Sequence, residues 1–102
     1  MSQARIAEQA PGEFLLSGIL DYRSGPATRE QGGRLIGASQ AAACVIDCAA
    51  VEKSSSVGLS LLLAFMRDAK AAGKSLTVRG LPADMRDIAS VSGLLEVLPL
   101  ED

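Results

Sequence analysis

The strongest constraint on this chain's fold lies between Ala41 and Gly73, where an apolar strand runs into a one-sided helix. Ala41–Asp47 (AAACVID) is a continuous apolar run of strand length ended by a charge, the pattern of a strand covered on both faces. Three serines follow, Ser54–Ser56, and then Val57–Gly73 (VGLSLLLAFMRDAKAAG) reads as a helix of about sixteen residues stopped by Gly73. At ~100° per residue, Leu59, Leu62, Leu63, Phe65, Met66 and Ala69 share one broad arc. Ser60, Ala64, Arg67 and Asp68 fall opposite, and Leu61 lies on the border, partly exposed. Ser75–Arg79 (SLTVR) alternates as a half-buried strand does. A strand–helix–strand unit of this kind implies a parallel pair joined by a crossover.

The flanks add a hairpin before this unit and a short helix after it. Arg5–Gln9 and Glu13–Ser17 flank a Pro11-Gly12 turn, Ile19 and Leu20 extend the second segment, and Asp21 closes it. Thr28 to about Ile36 forms a helix with Thr28 as N-cap and Gln31 at the third helical position, weakened by Gly32 and Gly33 at ~1 kcal/mol each. Pro82 opens a helix that turns Met85, Ile88 and Ala89 inward and stops at Gly93. Leu94–Leu100 is an apolar tail that packs back on the core. The expectation is an α/β fold: a mixed four- to five-stranded sheet with helices mainly on one face, one domain over residues 1–102. With 48% apolar but only 3% aromatic residues, the core has to be aliphatic.

Several function classes drop out. Ten basic and twelve acidic side chains, net −2, give no clustered cationic surface for nucleic acid. The chain has no histidine, so the usual general base and the usual metal ligand are both missing. Cys44 and Cys48 would lie ~13 Å apart along a strand, beyond disulfide reach, and read as small buried residues of a reducing compartment. The N-terminal stretch lacks an apolar run of signal-peptide length, and Leu61–Met66 is far short of the ~20 residues a membrane span needs. A cytoplasmic chain with no direct membrane insertion, no cofactor and no metal is expected. Gly32–Gly37 has neither a dinucleotide fingerprint nor a phosphate-loop lysine. Asp84, Arg86 and Asp87 read as a solvated helix face, and Asp21 and Asp47 as turn caps.

The segment VIDCAAVEKSSSVGLSLLL (Val45–Leu63) resembles the central signature of STAS domains, the fold of anti-sigma-factor antagonists. In that signature a strand ends in Asp, a loop of several residues follows, and Asp-Ser/Thr-x-Gly-Leu opens a helix. Here Ile46-Asp47 ends the strand, and Ser55-Ser56-Val57-Gly58-Leu59 stands in the motif. Ser17-Gly18-Ile19-Leu20-Asp21 resembles the family's Gly-x-Leu-Asp. Ala71-Ala72-Gly73-Lys74-Ser75-Leu76-Thr77-Val78 is similar to its Ala-Lys-x-Gly-x-x-Leu-x-Leu stretch. The short chain and its ending, GLLEVLPLED, look most like the MlaB-like branch, the STAS subunits of Mla phospholipid-transport ABC complexes. Two positions depart: Ser55 stands for the Asp, and Val57 for a small residue. The resemblance implies a non-catalytic subunit that supports or regulates an ABC transporter ATPase, within a complex that contains a membrane permease and maintains outer-membrane lipid asymmetry. Such a subunit sits at the inner membrane only through its partner. For the antagonist branch it implies instead phosphorylation of Ser56 by an anti-sigma kinase.

The residues themselves leave Ser56 open between three roles. The first N–H groups of a helix lack intrahelical partners and the dipole there is positive, so Ser55 or Ser56 can cap them for ~1 kcal/mol. The same position would receive a phosphate or a partner's contact. Ser56, Ser60, Ala64 and Arg67 fall on a common side, where small side chains let another helix approach and Arg67 offers an edge of donors. Gly58 permits close packing at the helix start. The expected docking set is therefore Ser55, Ser56, Val57, Gly58, Ser60, Leu61, Ala64 and Arg67.

Overall fold

The computed structural model describes residues 3–101. Strands β1 (Arg5–Ala10) and β2 (Glu13–Leu20) form the expected hairpin and pair antiparallel. Gly12 in its turn has φ +79°, where a side chain would be strained and would meet the Ala43 carbonyl. Helix α1 (Gly25–Ala38), strand β3 (Ala43–Ser54), helix α2 (Ser56–Ala71), strand β4 (Ser75–Arg79) and helix α3 (Ala83–Val91) follow. The sheet order is β1-β2-β3-β4, with β2, β3 and β4 mutually parallel, so the sheet is mixed as the sequence implies. The tail adds a rudimentary fifth strand: Leu100 bridges Val78, the Val78 N–H donates to the Pro99 carbonyl at 2.8 Å, and Leu98 is buried.

One face of the sheet carries the core. Ile6, Phe14, Leu16, Leu20, Cys44, Ile46, Cys48 and Val78 point to the helices and are buried with Ile36, Leu59, Leu62, Phe65, Met85 and Ala89. Phe14 and Phe65 are its rings, and the rest is aliphatic apart from the thiols of Cys44 and Cys48 and the thioether of Met85. Along β3 the alternation is strict from Cys44 to Cys48, with Val45 and Asp47 half-exposed on the opposite face. That corrects the expectation of a strand buried on both sides. Small Ala and Cys residues made the run look uniformly apolar, although only every second residue is packed.

Two boundaries also differ. Strand β3 does not stop at Asp47. The Asp47 carboxylate accepts from the Ala49 N–H at 2.9 Å and lies 3.5 Å from Arg79, so the charge is satisfied at the surface. The strand then continues through Lys53 and Ser54, paired with Ile19 and Leu20 of β2. Helix α1 starts at Gly25 instead of Thr28, with Pro26 in its first turn, where a missing N–H costs nothing. Thr28 is buried and is not the cap. The turn into α1 is held by Asp21, whose Oδ1 accepts from the N–H groups of Arg23 (2.9 Å) and Ser24 (3.1 Å), the capping role expected of it. Gly32, read as a weakness, lies where a Cβ would come within 2.5 Å of the Phe65 ring; its bareness lets α1 sit down on α2.

Candidate partner-docking site

The candidate site is built where β3 turns into α2. Because β3 runs to Ser54 and α2 begins at Ser56, the expected loop shrinks to a single residue, Ser55. Ser55 has extended backbone (φ −88°, ψ −173°), and its Oγ accepts from the Val57 N–H at 3.2 Å. The serine cap is therefore Ser55, and Ser56 is the first helical residue, exposed to solvent. Ser54 is the buried member of the trio: its N–H donates to the Asp84 carboxylate at 3.0 Å and its Oγ to the Ser55 carbonyl at 2.7 Å. Asp84 thus anchors the start of α3 to the end of β3 and is not part of a solvated face. Gly58 is buried, and a Cβ on it would collide with Ser54 Oγ and approach Met85 Cε to 2.9 Å. Close packing at the helix start is what this glycine allows.

Helix α2 has three faces rather than two. Leu59, Leu62, Phe65 and Ala69 meet the sheet. A second face, with Val57, Leu61, Ala64 and Asp68, lies on the α1 side: Arg29 of α1 donates to the Asp68 carboxylate at 2.6 and 3.2 Å. Leu61 is 3% and Ala64 4% exposed, so neither stands out toward a partner as expected: Ala64 is packed inside, and Leu61 only lines the wall of a groove. The third face is a ridge running Ser56, Ser60, Leu63, Arg67 and Lys70; all are exposed except Leu63, which is half-buried. Leu63 and Met66, which periodicity places in the core arc, pack against the core but are only half-buried. Of the expected docking set, Ser56, Ser60 and Arg67 share this outward ridge, Ser55 and Val57 border it, and Gly58, Leu61 and Ala64 support it from within.

Between the ridge and α1 runs an apolar groove of about 250 Å³, with Tyr22, Pro26, Val57 and Leu61 in its walls. Tyr22 stands 73% exposed at its rim, with the Arg23 guanidinium 5.5 Å above its ring. Sequence reasoning missed this groove; its one signal was an aromatic residue in a polar turn just ahead of Gly25-Pro26.

The site offers little chemistry beyond contact. Cys44 and Cys48 are buried, and burial pushes the Cys48 thiol up to about 12, which leaves it protonated and unreactive. Among the described residues no group of acidic or cysteine side chains converges as a metal site, and no helix is long and apolar enough to cross a membrane.

Comparison with known proteins gives this geometry a lineage. No curated protein matches the chain in sequence. An anti-sigma factor antagonist from Mycobacterium paratuberculosis superposes with a TM-score of 0.74 at 27% identity, covering 96% of this chain and 83% of that one. A chain of the Acinetobacter MlaFEDB complex in its ATP-bound Vtrans2 conformation gives 0.76 at 21% identity, over 87% and 93% of the two chains. The unphosphorylated form of the anti-sigma factor antagonist SpoIIAA gives 0.72 at 16% identity, over 97% and 88%. The family described as "Mlab, STAS domain" matches residues 6–99, nearly the whole length. The chain belongs to the MlaB-type STAS domain family.

Proposed function

We propose that this chain is a non-catalytic STAS subunit of a Mla-type ABC complex that moves phospholipid between membranes and maintains outer-membrane asymmetry. It binds the complex's ATPase and supports or regulates it, held at the inner membrane on the cytoplasmic side through that partner. The observation that carries the reading is the division of roles at the head of α2. Ser55 is occupied as the cap, while Ser56 and Ser60 are left outward on a rigid ridge beside an apolar groove. A preformed surface of this kind suits constitutive docking better than chemistry. The match to the MlaB-type family and the likeness to a chain of the MlaFEDB complex support the same reading.

A second reading has its own observation in favour. Ser56 is exposed in the first turn of α2, where a helix N-terminus receives a phosphate well, as an antagonist switched by an anti-sigma kinase requires. The likeness to anti-sigma factor antagonists accords with it. Against it, the residue before Ser56 is Ser55, where the antagonist signature has Asp. Affinity purification of the tagged full chain from its native host, with mass spectrometry of bait and partners, separates the two. An ABC ATPase with its permease and an unmodified Ser56 is the expected result. An anti-sigma kinase, with phosphate on Ser56, would replace the first reading by the second.

A further inference from the structure

The docking reading says where a partner sits; the charges around the groove say what that partner presents. The chain is net acidic, yet only two of its twelve acidic residues, Glu30 and Asp68, stand on α1 and α2; Asp21, in the turn beside Tyr22, is taken up by the N–H groups of Arg23 and Ser24. On α1 and α2 the balance is reversed, with Arg29, Arg34, Arg67 and Lys70 against those two acids. Arg29 is neutralised by Asp68 and Arg34 by Glu30, each at 2.6 Å. Arg23, stacked on Tyr22, and Arg67 and Lys70, at the far end of the ridge, have no carboxylate within ion-pair distance among the described residues. An apolar groove with unpaired cations two turns and more further along the same helix suits a partner that brings an apolar side chain and a negative charge together.

We infer, resting on the docking reading above, that the ATPase presents an acidic amphipathic helix here, with one large apolar side chain in the Tyr22–Pro26–Val57–Leu61 groove and carboxylates on Arg67 and Lys70. The groove's 250 Å³ is ample for one such side chain, since about 150 Å³ accepts a benzene ring. A helix fits because Ser56 and Ser60 keep the ridge low and let a second backbone come close. The spacing is specified as well. Ser60, beside the groove, and Arg67 are two turns apart, ~10 Å, so anchor and carboxylate on the partner helix also stand about two turns apart. A lipid surface is a poorer occupant, because anionic membranes are read by clusters of about 4–8 basic residues.

The test uses the full chain and the purified ATPase subunit from the same host, with binding measured at low and high salt. Tyr22→Ala and Arg67→Glu should each weaken binding about tenfold or more, and Arg67→Glu should flatten the salt dependence. Arg34→Glu makes the same charge change at an exposed α1 position away from the groove, and should bind as wild type. Both test side chains are exposed, so melting temperatures should match; Arg67→Gln replaces Arg67→Glu if they do not. Wild-type affinity in both Tyr22→Ala and Arg67→Glu, with Ser60→Glu defective, would overturn this inference and leave the docking reading standing. No binding by wild type would bring down both. Retention on phosphatidylglycerol vesicles, with ATPase affinity unchanged by Arg67→Glu, would assign the cations to lipid and overturn it too.

Discussion

Ser55 and Ser56 stand next to each other at the head of α2 and do different work, because only Ser55 has the extended backbone that turns its Oγ back to the Val57 N–H. Removing that acceptor by Ser55→Ala should cost about 1 kcal/mol of stability, the usual value of a serine cap. Ser56→Ala removes an exposed hydroxyl and should stay within about 0.5 kcal/mol. Urea unfolding of the two variants checks the pair, and equal losses would refute the assignment of the cap. Three consecutive serines announce a helix start, and that much was legible. Which serine caps depends on where β3 ends, and that is fixed by a contact far off in sequence, the Asp84 carboxylate on the Ser54 N–H. No local pattern encodes it.

Whole elements were more legible than their edges and faces. The Pro11-Gly12 turn ahead of β2, the period-two alternation of β4 and the apolar arc of α2 placed these elements nearly where they stand, because each rests on a local pattern. What periodicity cannot say is how many neighbours a helix has. A two-sided reading of α2 put Ala64 outside and Leu63 inside; the arrival of α1 on the Val57–Leu61–Ala64 side buries Ala64, while Leu63 is half-buried at the edge of the core. The consequence is measurable. Ser60→Glu, on the ridge, should leave stability within about 0.5 kcal/mol and abolish capture of the ATPase. Ala64→Arg forces a long cation into a packed helix contact and should cost at least about 1–3 kcal/mol. Denaturant midpoints of the two variants, measured beside the binding assay, tell them apart. A stable Ala64→Arg protein that merely fails to bind would return Ala64 to the docking face.

At the scale of the whole molecule, the mixed sheet and the helical layer followed from element order, but the ties that close the structure did not. The Arg29–Asp68 pair links residues 39 apart, and nothing in either neighbourhood announces it. Glu8 is a second such tie, at the opposite end from the groove. From the edge strand β1 its carboxylate accepts from the Gly12 N–H at 2.9 Å and from Ser39 Oγ at 2.8 Å, while Lys74 donates to the Ser39 carbonyl. One carboxylate thereby joins the hairpin turn to the connector after α1, and Lys74 brings in the connector after α2. The Gly12 N–H, then the Ser39 hydroxyl and the Lys74 charge, hold its carboxyl below its ordinary value of 4.5. A carboxyl with a depressed folded pKa binds protons more weakly in the folded than in the unfolded chain. Its contribution is thus complete above the ordinary value and is lost as pH falls through the folded one. Glu8→Gln keeps an acceptor but removes the charge. It should be less stable than wild type at neutral pH and converge on it in acid. Unfolding both proteins in urea across a pH series checks this, and a gap that stays constant down through the carboxylate range would show that the Glu8 charge takes no part in holding the connectors together.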